Sequence, residues 1–163
     1  MVAQNISFGV IAAIIIGSAL RVVTTRNIVH AALYLVIVLA GVAASYFLLG
    51  AEFIGVTQIL VYIGAIIVLF LFGIMLTRAP LGIMDDVASD ERWQGLVVAI
   101  ALAGVMTYAL IDGFEDAELP GNQVQTTAQV SDSVFSTYLV PFEVISVLLL
   151  AALIGAIVLA RKD

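Results

Sequence analysis

The sequence predicts an all-α integral membrane protein that crosses the bilayer five times, and three observations carry that fold class. The chain of 163 residues is 63% hydrophobic and only 11% charged, with a mean hydropathy of +1.21. That leaves too little polar surface to clothe a soluble domain. The apolar residues are also gathered into five blocks, each near the roughly 20 residues a helix needs to cross the hydrocarbon core. Finally, the Lys and Arg residues all fall on one side of a five-span arrangement, as a fixed topology requires.

The blocks are about 5–23, 28–49, 53–77, 93–111 and 138–160. Their length and lack of internal charge favour helices over barrel strands, which would alternate over roughly 10 residues. At the N-terminus, MVAQNISFG has no basic residue, and no clear A-x-A site follows the first block. It is read as a retained helix rather than a removed signal. No repeat of 20–50 residues is visible, and the whole chain reads as one membrane domain.

Two connections are long and polar, 78–92 and 112–137. In the first, SDER offers Ser89 or Asp90 as a cap, acids for the positive helix end, and Trp93 as an interfacial aromatic. In the second, Pro120 and Gly121 suit the centre of a type II turn. The polar NQVQTTAQV, residues 122–130, is expected to form a short hairpin.

Arg21, Arg26, Arg78, Arg92, Arg161 and Lys162 are the Lys and Arg residues of the chain. With five spans they all fall on one side, and the acidic cluster Asp112–Glu118 falls on the other. The positive-inside rule then places the N-terminus outside and the C-terminus in the cytoplasm. The expected location is a bacterial plasma membrane.

No cysteine is present, so disulfides, thiolate zinc and iron–sulfur ligation are excluded on this chain. One histidine is too few for a haem or copper cluster, and a net charge of −6 gives no sign of nucleic-acid binding. There is no phosphate-cradling glycine motif and no nucleophile triad. The sequence thus names no catalytic residue and no metal or cofactor site.

Polar residues inside the blocks are the better clue, because they are costly in lipid and tend to face protein or water. Glu143 lies about one turn into the last block, where it reads first as an interfacial acid favoured by the helix dipole and second as an inward-facing proton site. Glu52 precedes the third block and reads as a solvated acid at its start. His30, one turn into the second block, reads as interfacial. Thr57 and Gln58 suit hydrogen bonds to neighbouring helices, and Ser146 suits a bond to its own helix. Gly55, Gly64 and Gly73 recur at nine-residue intervals, and Ala151, Ala152, Gly155 and Ala156 add a second face for close helix packing.

The sharpest anomaly is VYIGAI, residues 61–66. Membrane tyrosines favour interfaces, yet Tyr62 lies within about one turn of the middle of the third block. Its hydroxyl needs a partner there. Gly64 lacks a Cβ and eases a local backbone change. Together they permit a kink or a single-turn π-bulge, a feature frequent at functional sites.

Three segments give the chain a family likeness: TRNIVHAAL at 25–33, EFIGVTQILVYIGAIIVLFLFGIML at 52–76 and YLVPFEVISVLLLAALIGAIVLA at 138–160. Together they resemble the subunit J (chain 6) family of proton-pumping NADH–quinone oxidoreductase, respiratory complex I. The two long connections carry no such likeness. The resemblance implies a membrane-arm subunit without a redox centre. Its partners would be the quinone-cavity subunit and the small subunits A and K, with FMN, iron–sulfur clusters and quinone on other chains. It also implies that Tyr62 and Gly64 form a π-bulge hinge that gates a hydrated path, with Glu143 at an acidic position common in bacterial members. The same composition leaves two rivals: a subunit of a multi-component sodium/proton antiporter, and a structural spacer.

Overall fold

A computed structural model describes residues 2–77, 92–114 and 124–161. Among them lie six helices: α1 (Val2–Thr24), α2 (Ile28–Leu48), α3 (Glu52–Leu76), α4 (Arg92–Phe114), α5 (Thr127–Phe135) and α6 (Leu139–Ala160). Five of these, all but α5, are long and apolar enough to cross a membrane. The helix ends fall within a few residues of the apolar blocks, except that α1 begins at Val2 rather than near residue 5 and α4 runs on to Phe114.

The first three spans form an antiparallel unit whose turns are closed by local hydrogen bonds. α2 starts at Asn27, which is extended (φ −91°, ψ 116°). The Asn27 Oδ1 accepts from the backbone N–H of Val29 at 2.9 Å and of His30 at 3.4 Å, satisfying two donors that the first helical turn leaves open. At the other end of α2, Gly50 has φ +75°. The Gly50 N–H donates to the Phe47 carbonyl at 3.0 Å and the Ala51 N–H to the Tyr46 carbonyl at 2.9 Å. This is the Schellman closure, and its left-handed residue favours glycine.

Small residues let these spans approach. A Cβ at Gly41 would collide with the Ile15 side chain, so α1 lies close on α2 only because residue 41 is glycine. One at Gly55 would sit 3.0–3.2 Å from three ring atoms of Phe47, which sets α3 tightly on α2. Ala32 and Ala43 of α2 are 2% exposed, among the most enclosed residues described. Gln4 Nε2 also donates to the Leu48 carbonyl at 3.2 Å, tying the start of α1 to the end of α2.

The other described helices pack sparsely. α4 packs against no other described element, and α6 packs against α5 alone. α5 in turn contacts the first turns of α3 and joins α6 through Phe135 and Phe142, whose rings meet edge-on at 5.1 Å. Residues Leu49, Gly50, Phe53, Ile54, Val124 and Val130 line a cleft of about 240 Å³ where α5 meets the α2–α3 turn.

The expected hairpin at 122–130 is overturned: from Thr127 the chain is helical. Thr126 and Gln129 form a reciprocal capping box, with the Gln129 N–H donating to Thr126 Oγ1 at 3.4 Å and the Thr126 N–H to Gln129 Oε1 at 3.0 Å. The pair supplies donors and acceptors that a hairpin would have needed from a facing strand. The connection read as a polar loop over 112–137 therefore contains a helix, Thr127–Phe135. The SDER cap and the turn at Pro120–Gly121 lie outside the described residues.

Candidate functional site in the third span

The third span changes helix type twice along its 25 residues. Glu52–Thr57 is α-helical, Gln58–Ile67 is a π-helix of 10 residues, and Val68–Leu76 is α-helical again. The anomaly read around Tyr62 and Gly64 thus lies inside a π segment. It is longer than the single-turn bulge expected there, the form in which π geometry mostly occurs. No proline sits in the span, so the cause is not a missing donor. Phe47 holds Gly55 on one side of the segment, while beyond it Val68–Leu76 contains no buried residue.

The segment presents two different faces. Gln58 is 8% exposed and Ile67 is 4% exposed, so the segment's first and last residues are enclosed. Tyr62 is 48% exposed, with Ile66 and Phe70 similarly open. Neither the Tyr62 hydroxyl nor the Gln58 amide makes a hydrogen bond with a described residue. An unmet polar group in hydrocarbon costs several kcal/mol, roughly 2–7, so inside a membrane each calls for a partner beyond the described residues. Thr57 Oγ1 donates to the Phe53 carbonyl of its own helix at 2.8 Å, which uses its donor and leaves its acceptor lone pairs for a neighbouring helix. Ser146 behaves as expected, with Oγ donating to the Phe142 carbonyl at 2.9 Å.

Gly64 is exposed. A Cβ there would meet only the Ile59 carbonyl oxygen, at 3.4 Å, an ordinary contact made possible by the π winding. Nothing among the described residues crowds it. Of the three glycines spaced along the span, Gly55 alone serves a close contact among the described residues; a Cβ at Gly73 would meet none of them within 4 Å. The small-residue face at Ala151, Ala152, Gly155 and Ala156 is likewise exposed.

The remaining candidates are scattered. Glu143 is exposed on α6, and Glu52 is exposed at the first position of α3. His30 is exposed in the first turn of α2. It is separated from Glu52 by the length of that helix, about 31 Å at 1.5 Å per residue. Among the described residues no three His, Asp or Glu side chains gather where they could hold a metal ion. Two features escaped the sequence reading, the left-handed Gly50 and the Thr126 capping box. Both had signals: a glycine at the end of an apolar run, and a Thr-x-x-Gln spacing.

The sequence model of the NADH-ubiquinone/plastoquinone oxidoreductase chain 6 family matches residues 18–159, a stretch that holds the whole π segment. The chain belongs to the chain 6 family. Its relatives include NAD(P)H-quinone oxidoreductase chain 6 of Synechocystis sp., 39% identical over 98% of this chain and 82% of the relative. F(420)H(2) dehydrogenase subunit J of Methanosarcina mazei is 40% identical over 96% of this chain and 90% of its own length. NADH-quinone oxidoreductase subunit J of Escherichia coli is 35% identical over 98% and 88%. Chain 6 membership agrees with the resemblance drawn from the three sequence segments, and it fits a chain whose spans leave most of their surface open.

Proposed function

We propose that this chain is a membrane-arm subunit of a proton-translocating quinone oxidoreductase, and that it couples quinone reduction to proton movement by changing the register of α3. The observation that carries this reading is the π segment Gln58–Ile67, with Tyr62 and Gly64 inside it. Removing one residue's worth of π winding would turn everything beyond it by about 100°, one residue of an α-helix. Ile67 would then leave its enclosed position, and Ile66 or Val68 would take it. A side-chain exchange of that kind can open or close a water-filled path between neighbouring helices. It requires two forms within a few kcal/mol of each other.

Electrons pass on other subunits, where FMN, iron–sulfur clusters and quinone belong in this reading. The relatives are named for NADH, NAD(P)H and F(420)H(2). This supports placing choice of donor elsewhere in the complex. The quinone-cavity subunit and small subunits A and K are the proposed neighbours of α4 and α6. Tyr62 and Gln58 offer hydrogen bonds to such neighbours, and Glu143 offers a carboxylate on α6. The N-terminus lies outside a bacterial plasma membrane and the C-terminus in the cytoplasm, following the basic residues.

The test is Gly64→Leu. Its Cβ fits within the chain, so the fold should form, while the bulk beyond it burdens whichever register brings residue 64 against a neighbour. An overpacking cost of about 1–3 kcal/mol on one form changes the ratio of forms roughly 5- to 150-fold. Quinone-linked proton pumping is expected to fall, with dehydrogenase activity toward a soluble artificial acceptor unchanged. Normal pumping would remove the hinge and leave the spacer role, for which Tyr62→Phe and Gly64→Ala should also be silent.

A further inference from the structure

We propose that the turn joining α1 and α2 is a binding site for the headgroup of an anionic phospholipid. Three basic side chains flank it. Arg21 lies in the last turn of α1, Arg26 lies in the turn, and His30 is the third residue of α2. All three side chains are exposed. The first acidic residue of the chain is Glu52, so nothing on this hairpin offsets their charge.

Hydrogen bonding in the turn sharpens the point. Several of its acceptors are spent internally: Leu20 O takes the Thr24 hydroxyl at 2.7 Å, Arg21 O takes the Thr25 N–H at 3.0 Å, and Asn27 Oδ1 takes two N–H groups of α2. The exposed side chains of Arg21 and Arg26 add donors. Guanidinium groups bind phosphate oxygens in a two-pronged, charge-assisted geometry. A phosphodiester supplies the missing acceptors.

Position favours a lipid over other anions. α1 has 23 residues, or about 35 Å of helix, against a hydrocarbon core of about 30 Å. Its last turn therefore reaches headgroup level, and the stem of Arg21 can lie along the apolar surface with its charge at the interface. α1 packs on α2 alone among the described elements. Ile14, Ile16, Leu20 and Val23 beside the turn are all exposed, a surface on which acyl chains can lie below the bound headgroup.

The experiment uses the intact complex in nanodiscs doped with photoactivatable phosphatidylglycerol or phosphatidylcholine, followed by peptide mapping. Phosphatidylglycerol should label residues 17–33 in preference to phosphatidylcholine, and excess unlabelled phosphatidylglycerol should compete. Arg21→Ala with Arg26→Ala should reduce that labelling about 30-fold, two cations contributing roughly fivefold each near an anionic surface. Lysine at both positions should retain part of it. If the paired variant fails to assemble, Arg26→Ala alone should give a loss of about fivefold. Equal labelling by the two lipids would mean ordinary annular contact and overturn the proposal. An unlabelled turn would also overturn it. That result is expected if an acidic protein segment, such as the one bearing Asp85, Asp86, Asp90 and Glu91, covers the cations instead.

Discussion

Replacing Gly50 by alanine tests how the α2–α3 turn is built and how α5 is held to it. Gly50 has φ +75°, and left-handed backbone costs an L-residue about 1–2 kcal/mol. A Cβ there would also lie 3.0 Å from Val124 Cγ2 and 3.2 Å from Cγ1. Overpacking of that kind adds about 1 kcal/mol or more, at the low end here because Val124 is 48% exposed and can yield. The stiffer unfolded chain returns about 0.4–1 kcal/mol. The net expectation is a destabilisation of about 1–2 kcal/mol. Four proteins in bicelles would be unfolded by denaturing detergent and followed by circular dichroism: the parent, Gly50→Ala, Val124→Ala and the double variant. The double variant should lose less than the sum of the singles, because Val124→Ala removes the clash but not the backbone strain. A cost for Gly50→Ala below about 0.5 kcal/mol would refute the strain argument, and additivity within that margin would refute the Val124 contact.

Other expectations concern the helix caps and the open glycines. Asn27→Ala should cost about 1 kcal/mol through loss of the α2 cap, read by the same unfolding measurement, with Asn27→Asp near neutral. Thr126→Ala should speed amide exchange across Thr127–Phe135 by roughly fivefold or more, since nine residues are too few to hold a helix without help; exchange in α6 should not change. Gly9→Ala should stabilise α1 by up to about 1 kcal/mol, because nothing lies within 4 Å of the added carbon.

The spans were legible because bilayer thickness imposes a length that the apolar runs show directly. The α5 helix was hidden among polar residues where hydrophobic content says little; its signature was the side-chain spacing Thr126 to Gln129. The place of the irregularity in α3 could be read from Tyr62 and Gly64, two residues out of character with their depth. Its extent could not, because α and π turns use the same residues and differ in which carbonyl each N–H selects. That choice depends on packing at a distance, including the Phe47 ring against Gly55, and those residues lie on different helices. The exposure of Gly64 was equally invisible, as a one-dimensional pattern does not say which face of a span meets its own chain.

α4 packs against no other described element of its own chain, and this has a bearing on the life of the protein in the cell. Hydrocarbon tails are as apolar as leucine, so lipid gives α4 no drive to return to α1–α3. A newly inserted copy would wait with its fourth and sixth helices splayed, and its lifetime would depend on how fast other subunits arrive. Membrane proteases that survey loose helices would set the ceiling on surplus copies. The amount of this chain should therefore follow the supply of its partners more closely than its own rate of synthesis, and a pulse–chase comparison with and without those partners would measure the dependence.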